Sequence, residues 1–223
     1  MKKEEYIFIE NYMKKMMSDS AHDYLHIYRV LNNALKISKN YEVDMDVLIA
    51  GCLLHDIGRD MQFKNPNLCH AIEGGKIAYK FLLNNGWNEK KALHVCNIIT
   101  THRFRSNNPP QTIEAKILFD ADKLDVIGAI GISRSLMYKG DVKQPLYTVN
   151  DDLIFDDYND KDAKSSFFKE YNFKLKKLYD KFYTKEAYEI AKEKEKIAID
   201  FYEALYQEVD LSDFYDNLEL EIK

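Results

Sequence analysis

Six histidines punctuate the chain, at positions 22, 26, 55, 70, 94 and 102, and five of them stand near an expected helix end or beside a carboxylate. The sharpest case is Leu53-Leu54-His55-Asp56-Ile57-Gly58, where an imidazole and a carboxylate leave an apolar helix as it stops. Burying such a polar pair without a partner is costly. A divalent cation satisfies both groups at once, because His supplies a neutral nitrogen and Asp a hard anionic oxygen. Two further stretches could complete a mixed nitrogen and oxygen site. In the first, His22 and His26 lie at i and i+4 in His22-Asp23-Tyr24-Leu25-His26, on one helix face. In the second, Asp122 and Asp125 lie at i and i+3, also on one face. Taken singly, each residue reads as easily as a cap, a salt bridge or a solvated group.

The elements that must position these groups read as helices throughout. Ile7, Ile9, Tyr12, Met13, Met16 and Met17 give a first apolar face, and Tyr24, Ile27, Val30, Leu31, Ala34, Leu35 and Ile37 a second. Asp46 is placed to cap a third helix, Val47 to Leu54. Asn67 precedes a fourth, Leu68 to Leu83, which closes on Asn84-Asn85-Gly86. Asn88 starts a fifth that runs to about His102, and Thr112 to Asp125 resumes the helical period after a loop holding Pro109-Pro110. No run alternates with period two between turns, so a sheet has no support. All eight glycines fall between Gly51 and Gly140. Beyond them the acidic stretch 141–162 reads as an irregular connection. Phe167–Tyr183 and Lys185–Glu208 then read as two long amphipathic packing helices separated at Thr184, the expected N-cap. The expected organisation is an all-α, single structural domain: a helical core over 1–140 carrying the site, and a connection with C-terminal helices over 141–223.

Composition sets the bounds. A chain of 223 residues that is 46% hydrophobic and 31% charged can bury a core without disulfides, since a domain of this size removes roughly 70% of its surface from water. Three cysteines without Cys-x-x-Cys spacing point to a reducing, cytoplasmic setting. No apolar run approaches the ~20 residues of a membrane span, and the N-terminal residues are unlike a secretory signal. A net charge of -5 supplies no overall positive field for nucleic acid or anionic lipid, so neither is an expected partner.

The order His26, His55-Asp56, Asp122 resembles the H...HD...D signature of the HD-domain superfamily of metal-dependent phosphohydrolases. Three extended blocks carry the resemblance: His-Asp-x-x-His-x-x-Arg-Val at 22–30, Leu-Leu-His-Asp-Ile-Gly at 53–58, and Asp-Ala-Asp-Lys-Leu-Asp followed by the Gly128 and Gly131 segment at 120–132. They are most similar to one branch of the superfamily resembling bacterial (d)NTP pyrophosphohydrolases, and cover about residues 20–138. The resemblance implies a helical bundle with two additional C-terminal helices, in which His26, His55, Asp56 and Asp122 ligate one divalent cation: manganese, magnesium, nickel, iron or zinc. It places His70 and His102 where binuclear members hold a second metal, although here they could equally contact phosphate.

Metal-assisted hydrolysis of a phosphate ester is the chemistry that follows. Arg29 and Lys123 lie near the ligands in sequence, and Arg59, Lys64, Arg103 and Arg105 lie on segments that could reach an anionic substrate. Asp125, or else Asp60, is the expected base or orienting group, so Asp56, Asp125, Lys123 and Arg29 form the expected catalytic set. Deoxynucleoside monophosphatases and alarmone hydrolases of the superfamily carry a catalytic Glu after His-Asp, where this chain has Arg59 and Asp60. The Gly-Tyr-Pro motif of the cyclic-di-nucleotide branch is absent. The expected partner is therefore a small phosphorylated molecule, a nucleotide, cleaved most concretely from (d)NTP to (d)NMP and pyrophosphate. The alternatives are a phosphatase or phosphodiesterase on another small ester, a non-catalytic nucleotide or metal sensor, and a structural helical module.

Overall fold

The computed structural model describes residues 1–17, 24–103, 108–149, 153, 166–211 and 213–222. They form helices and connecting turns with no sheet among them. In chain order the helices are α1 (Lys3–Met16), α2 (Tyr24–Ile37), α3 (Met45–Leu54), α4 (Arg59–Lys64), α5 (His70–Asn84), α6 (Glu89–Thr101), α7 (Ile113–Leu124), α8 (Gly128–Asp141), α9 (Phe167–Phe173), α10 (Lys185–Glu208) and α11 (Phe214–Glu221), with 3-10 turns at Ser38–Asn40 and Leu175–Lys177. The fold is all-α, as the periodicity indicates. The chain divides into two compact units, one of Met1–Asp125 with Tyr183–Ala187, the other of Val126–Phe182 with Tyr188–Lys223. The boundary expected near residue 140 falls inside the second unit, at the end of α8.

The first unit is built around α3. Val47, Leu48, Ala50, Gly51, Cys52, Leu53 and Leu54 are all buried, and α1, α2, α5, α6 and α7 pack against this helix. A helix apolar on every side belongs in the middle of a bundle. Asp44, not Asp46, caps it, accepting from Asp46 N at 3.1 Å and Val47 N at 3.3 Å. At Gly51 a Cβ would run into the Ile98 side chain, so Ile98 of α6 packs directly on the α3 backbone. At Gly58 the approach is backbone to backbone, because a Cβ there would strike the His70 carbonyl oxygen and the Gly74 amide. This contact brings the start of α5 against the turn that follows α3.

α4 was not foreseen; six residues are too few for a helical period to stand out. The fourth expected helix begins two residues later than the sequence suggests, at His70 with Cys69 as N-cap. Phe167–Tyr183 is not one helix: α9 ends at Phe173 and a 3-10 turn follows. Asp120 of α7 explains the break before α10. Its carboxylate, fully buried, accepts from the amides of Tyr183 at 2.9 Å and Thr184 at 2.7 Å and from the Thr184 hydroxyl at 2.7 Å. Amides given to a side chain cannot also continue a helical ladder. The second unit has its own apolar core of Phe167, Phe168, Tyr171 and Tyr179, and the Gly128 amide donates to the Tyr179 hydroxyl. Most of the acidic connection lies outside the described residues.

Candidate metal centre

Three helix ends and two helix faces converge in the first unit. His55 is the C-cap of α3 and Asp56 follows it, His70 opens α5, and His102 is the C-cap of α6. His26 comes from α2, Asp122 from α7 and Asp125 from the C-cap of α7. All seven side chains are buried, and His55 has no exposed surface. His26 Nε2 lies 3.3 Å from His55 Nε2, 3.7 Å from Asp56 Oδ2 and 3.3 Å from Asp122 Oδ1. His55 Nε2 lies 3.6 Å from Asp56 Oδ2 and 3.9 Å from Asp122 Oδ1. On the far side of Asp56, its Oδ1 lies 3.5 Å from His70 Nε2 and 3.6 Å from His102 Nε2.

Hydrogen bonding decides which ring nitrogen faces inward. His55 Nδ1 donates to the Cys52 carbonyl at 2.8 Å and His102 Nδ1 to the Ile99 carbonyl at 2.6 Å. His26 Nδ1 donates to Asp125 Oδ2 at 2.7 Å, and His70 Nδ1 to Gln62 Oε1 at 2.5 Å. With every Nδ1 given to an acceptor behind its ring, each imidazole turns Nε2 toward the centre. Asp56 Oδ1, buried among them, has no hydrogen-bond donor. Two imidazole nitrogens at 3.3 Å, converging carboxylates and an orphaned carboxylate oxygen are what a cation resolves. Two ligand groups stand out, His26 with His55 and Asp56, and Asp56 with His70 and His102. A divalent cation fits these residues.

The charge states agree. Burial pushes the imidazoles of His55, His70 and His102 down, His70 to about 2 and His102 to about 4, so all three are neutral donors. Burial also opposes a charge on His26, but Asp122, Asp125 and Asp56 outweigh it and hold the ring at about 9. A divalent cation would take the place of that proton. Burial works against ionised Asp56 too, yet the charges of Arg59 and His26 keep its carboxyl far below the usual range. Asp122 is held low in the same way by Lys123 and His26.

The basic residues pair with the carboxylates. Arg29 reaches Asp125 with Nε at 2.6 Å and Nη2 at 3.1 Å, Arg59 Nε lies 2.6 Å from Asp56 Oδ2, and Lys123 Nζ lies 2.8 Å from Asp122 Oδ2. Arg29 and Arg59 keep about a third of their side chains exposed, at 31% and 30%. Arg103 contacts the Cys69 sulfur instead, and Lys64 stands exposed at the end of α4. Asp60, the alternative orienting group, lies in the first turn of α4. His94 sits apart, 3.1 Å from the Thr112 hydroxyl and 3.3 Å from Glu114. His22, Asp23 and Arg105 lie outside the described residues. Gln62 had no sequence signal, since its role depends on α4 lying against the start of α5.

Comparison with known proteins places this geometry. The HD domain family matches residues 23–127. YpgQ of Bacillus subtilis is 28% identical over 207 residues, spanning 90% of this chain and 92% of its own length. The crystal structure of YpgQ in complex with ADP superposes with a TM-score of 0.70 at 29% identity, covering 92% of this chain and all of that one (100%). An HD-superfamily hydrolase from Bacillus thuringiensis gives a TM-score of 0.71 at 27% identity, over 93% of this chain and 98% of the other. A further HD superfamily hydrolase, from an uncultured Thermotogales bacterium, gives 0.62 at 25% identity, over 93% of each chain. The buried His26, His55-Asp56 and Asp122 cluster lies inside the matched span, so the chain carries, over residues 23–127, a match to the HD domain and is similar along most of its length to HD-superfamily hydrolases.

Proposed function

We propose that this enzyme hydrolyses nucleotides and cleaves (d)NTP to (d)NMP and pyrophosphate. The observation that carries the reading is the convergence of four Nε2 atoms on Asp56, whose Oδ1 has no hydrogen-bond donor. His26, His55, Asp56 and Asp122 would hold the catalytic cation, with His70, His102 and Asp56 Oδ1 offering a second position. When bound, the cation supplies Lewis acidity toward water and toward a phosphoryl oxygen. A donor set this rich in imidazole suits iron, nickel or zinc better than magnesium.

Charge bookkeeping supports an anionic substrate. The carboxylates of Asp56, Asp122 and Asp125 are balanced by Arg29, Arg59 and Lys123. A divalent cation therefore leaves the cluster positive, complementary to a phosphate chain. The partly exposed guanidinium groups of Arg29 and Arg59 stand where such a chain would meet them. Asp125 holds His26 in its inward-facing tautomer and orients rather than abstracts. A relative that covers nearly the whole chain, YpgQ, was crystallised with ADP, which favours a nucleotide over other phosphate esters.

A product assay tests the reading. Manganese-loaded protein is incubated with ribo- and deoxyribonucleoside mono- and triphosphates, and orthophosphate and pyrophosphate are measured separately. Pyrophosphate from triphosphates, lost in Asp56→Ala, is the expected result. Orthophosphate alone would move the enzyme to phosphatase chemistry, and an Asp56→Ala protein with the full rate would overturn the site.

A further inference from the structure

The four imidazoles are backed by groups of different charge. His26 rests on a carboxylate, His55 and His102 on backbone carbonyls, and His70 on the neutral amide of Gln62. The Gln62 contact is double. The same Oε1 that accepts from His70 Nδ1 at 2.5 Å also faces the His70 backbone N–H at 3.4 Å. A backbone N–H can only donate, so the amide presents its oxygen and the ring carries its hydrogen on Nδ1. His70 Nε2 is thereby aimed at Asp56 Oδ1, 3.5 Å away, and at His102 Nε2, 3.4 Å away.

The two sides of Asp56 differ in charge as well. The His26 side adds Asp122 at 3.3 Å and Asp125 at 2.7 Å from that ring. Among the described residues Asp56 is the one carboxylate within 4 Å of His70, and the charges of Arg59 and Arg103 act on that ring. A carboxylate behind an imidazole makes it a better metal donor than an amide does, and nearby guanidinium groups oppose a second cation. We propose that Gln62 is a positioning residue: it fixes His70 toward Asp56 Oδ1, and its lack of charge makes the His70–His102 position the weaker of two cation sites. The proposal rests on the reading of His26, His55, Asp56 and Asp122 as the primary site.

Calorimetric titration of the full chain with Mn2+, with electron paramagnetic resonance counting free ion, tests it. Wild type should show two classes of bound ion. Gln62→Ala should weaken the second class about tenfold or more, and Gln62→Glu should tighten it by a similar factor, with the first class unmoved in both. A residue that merely supported the fold would shift both classes together or neither, and either result overturns the proposal. A single class in wild type, abolished by His55→Ala, overturns it while leaving the primary site standing. Binding unaffected by His55→Ala overturns the functional reading and this proposal with it.

Discussion

Asp125 accepts from His26 Nδ1 and from Nε and Nη2 of Arg29, so its charge is felt by one imidazole and one guanidinium at once. Asp125→Asn keeps the shape and removes the charge. Mn2+ affinity at the primary site should fall about 10- to 100-fold, read by calorimetry, with the far-ultraviolet circular dichroism unchanged. An unaltered affinity would show that Arg29 and Asp125 only brace α2 against α7. At this scale the candidate donors were legible: His55-Asp56 at the end of an apolar helix and Asp122 on a later helix stand out in the sequence, and the structure brings them together. The direction of the basic side chains was not. Spacing puts Arg29, Arg59 and Lys123 near the site, but their pairing with Asp125, Asp56 and Asp122 depends on rotamers that only packed neighbours select.

α8 and α9 are tied in the second unit by Lys139, whose buried ammonium lies 3.1 Å from Glu170 Oε2 and 2.7 Å from Gln144 Oε1. Burial opposes the Glu170 charge, but Lys174 and Lys139 hold its carboxyl below the usual range. A carboxylate lowered in the folded state adds stability above its unfolded pKa and loses it as pH falls through the folded one. Glu170→Gln should therefore cost about 1–3 kcal/mol at pH 7, and the gap to wild type should shrink on acidification below about pH 4.5. Urea unfolding at pH 7 and pH 4 measures both, and a gap independent of pH would contradict the assignment. Helix identity was largely readable here because long amphipathic periods persist over several turns. The early end of α9 and the presence of α4 were not, since α9 gives way to a 3-10 turn after Phe173 although the apolar stripe runs on, and α4 is shorter than two turns.

Across the whole molecule, metal should act as a folding ligand, because the cluster joins α2, α3, α5, α6 and α7 and does not survive unfolding. At about a hundred times its dissociation constant an ion adds about 2.7 kcal/mol, which for a chain of this size raises Tm by roughly 5–10 °C. Thermal unfolding with Mn2+ and with chelator should show that shift in wild type and lose it in His55→Ala. Equal melting temperatures with and without metal would exclude a cation tied to the fold. No described helix is long and apolar enough to cross a membrane.

By itself the sequence determined the all-α class, the donor types and their order, since helical periodicity and the meeting of His and Asp with an apolar helix end are local properties of the chain. Only the tertiary structure decided which nitrogen each imidazole turns inward. His26 is aligned by a carboxylate 99 residues away and His70 by an amide on an unforeseen helix. A hydrogen bond is directional, and its direction is set by how helices are placed against one another, which no spacing along the chain encodes.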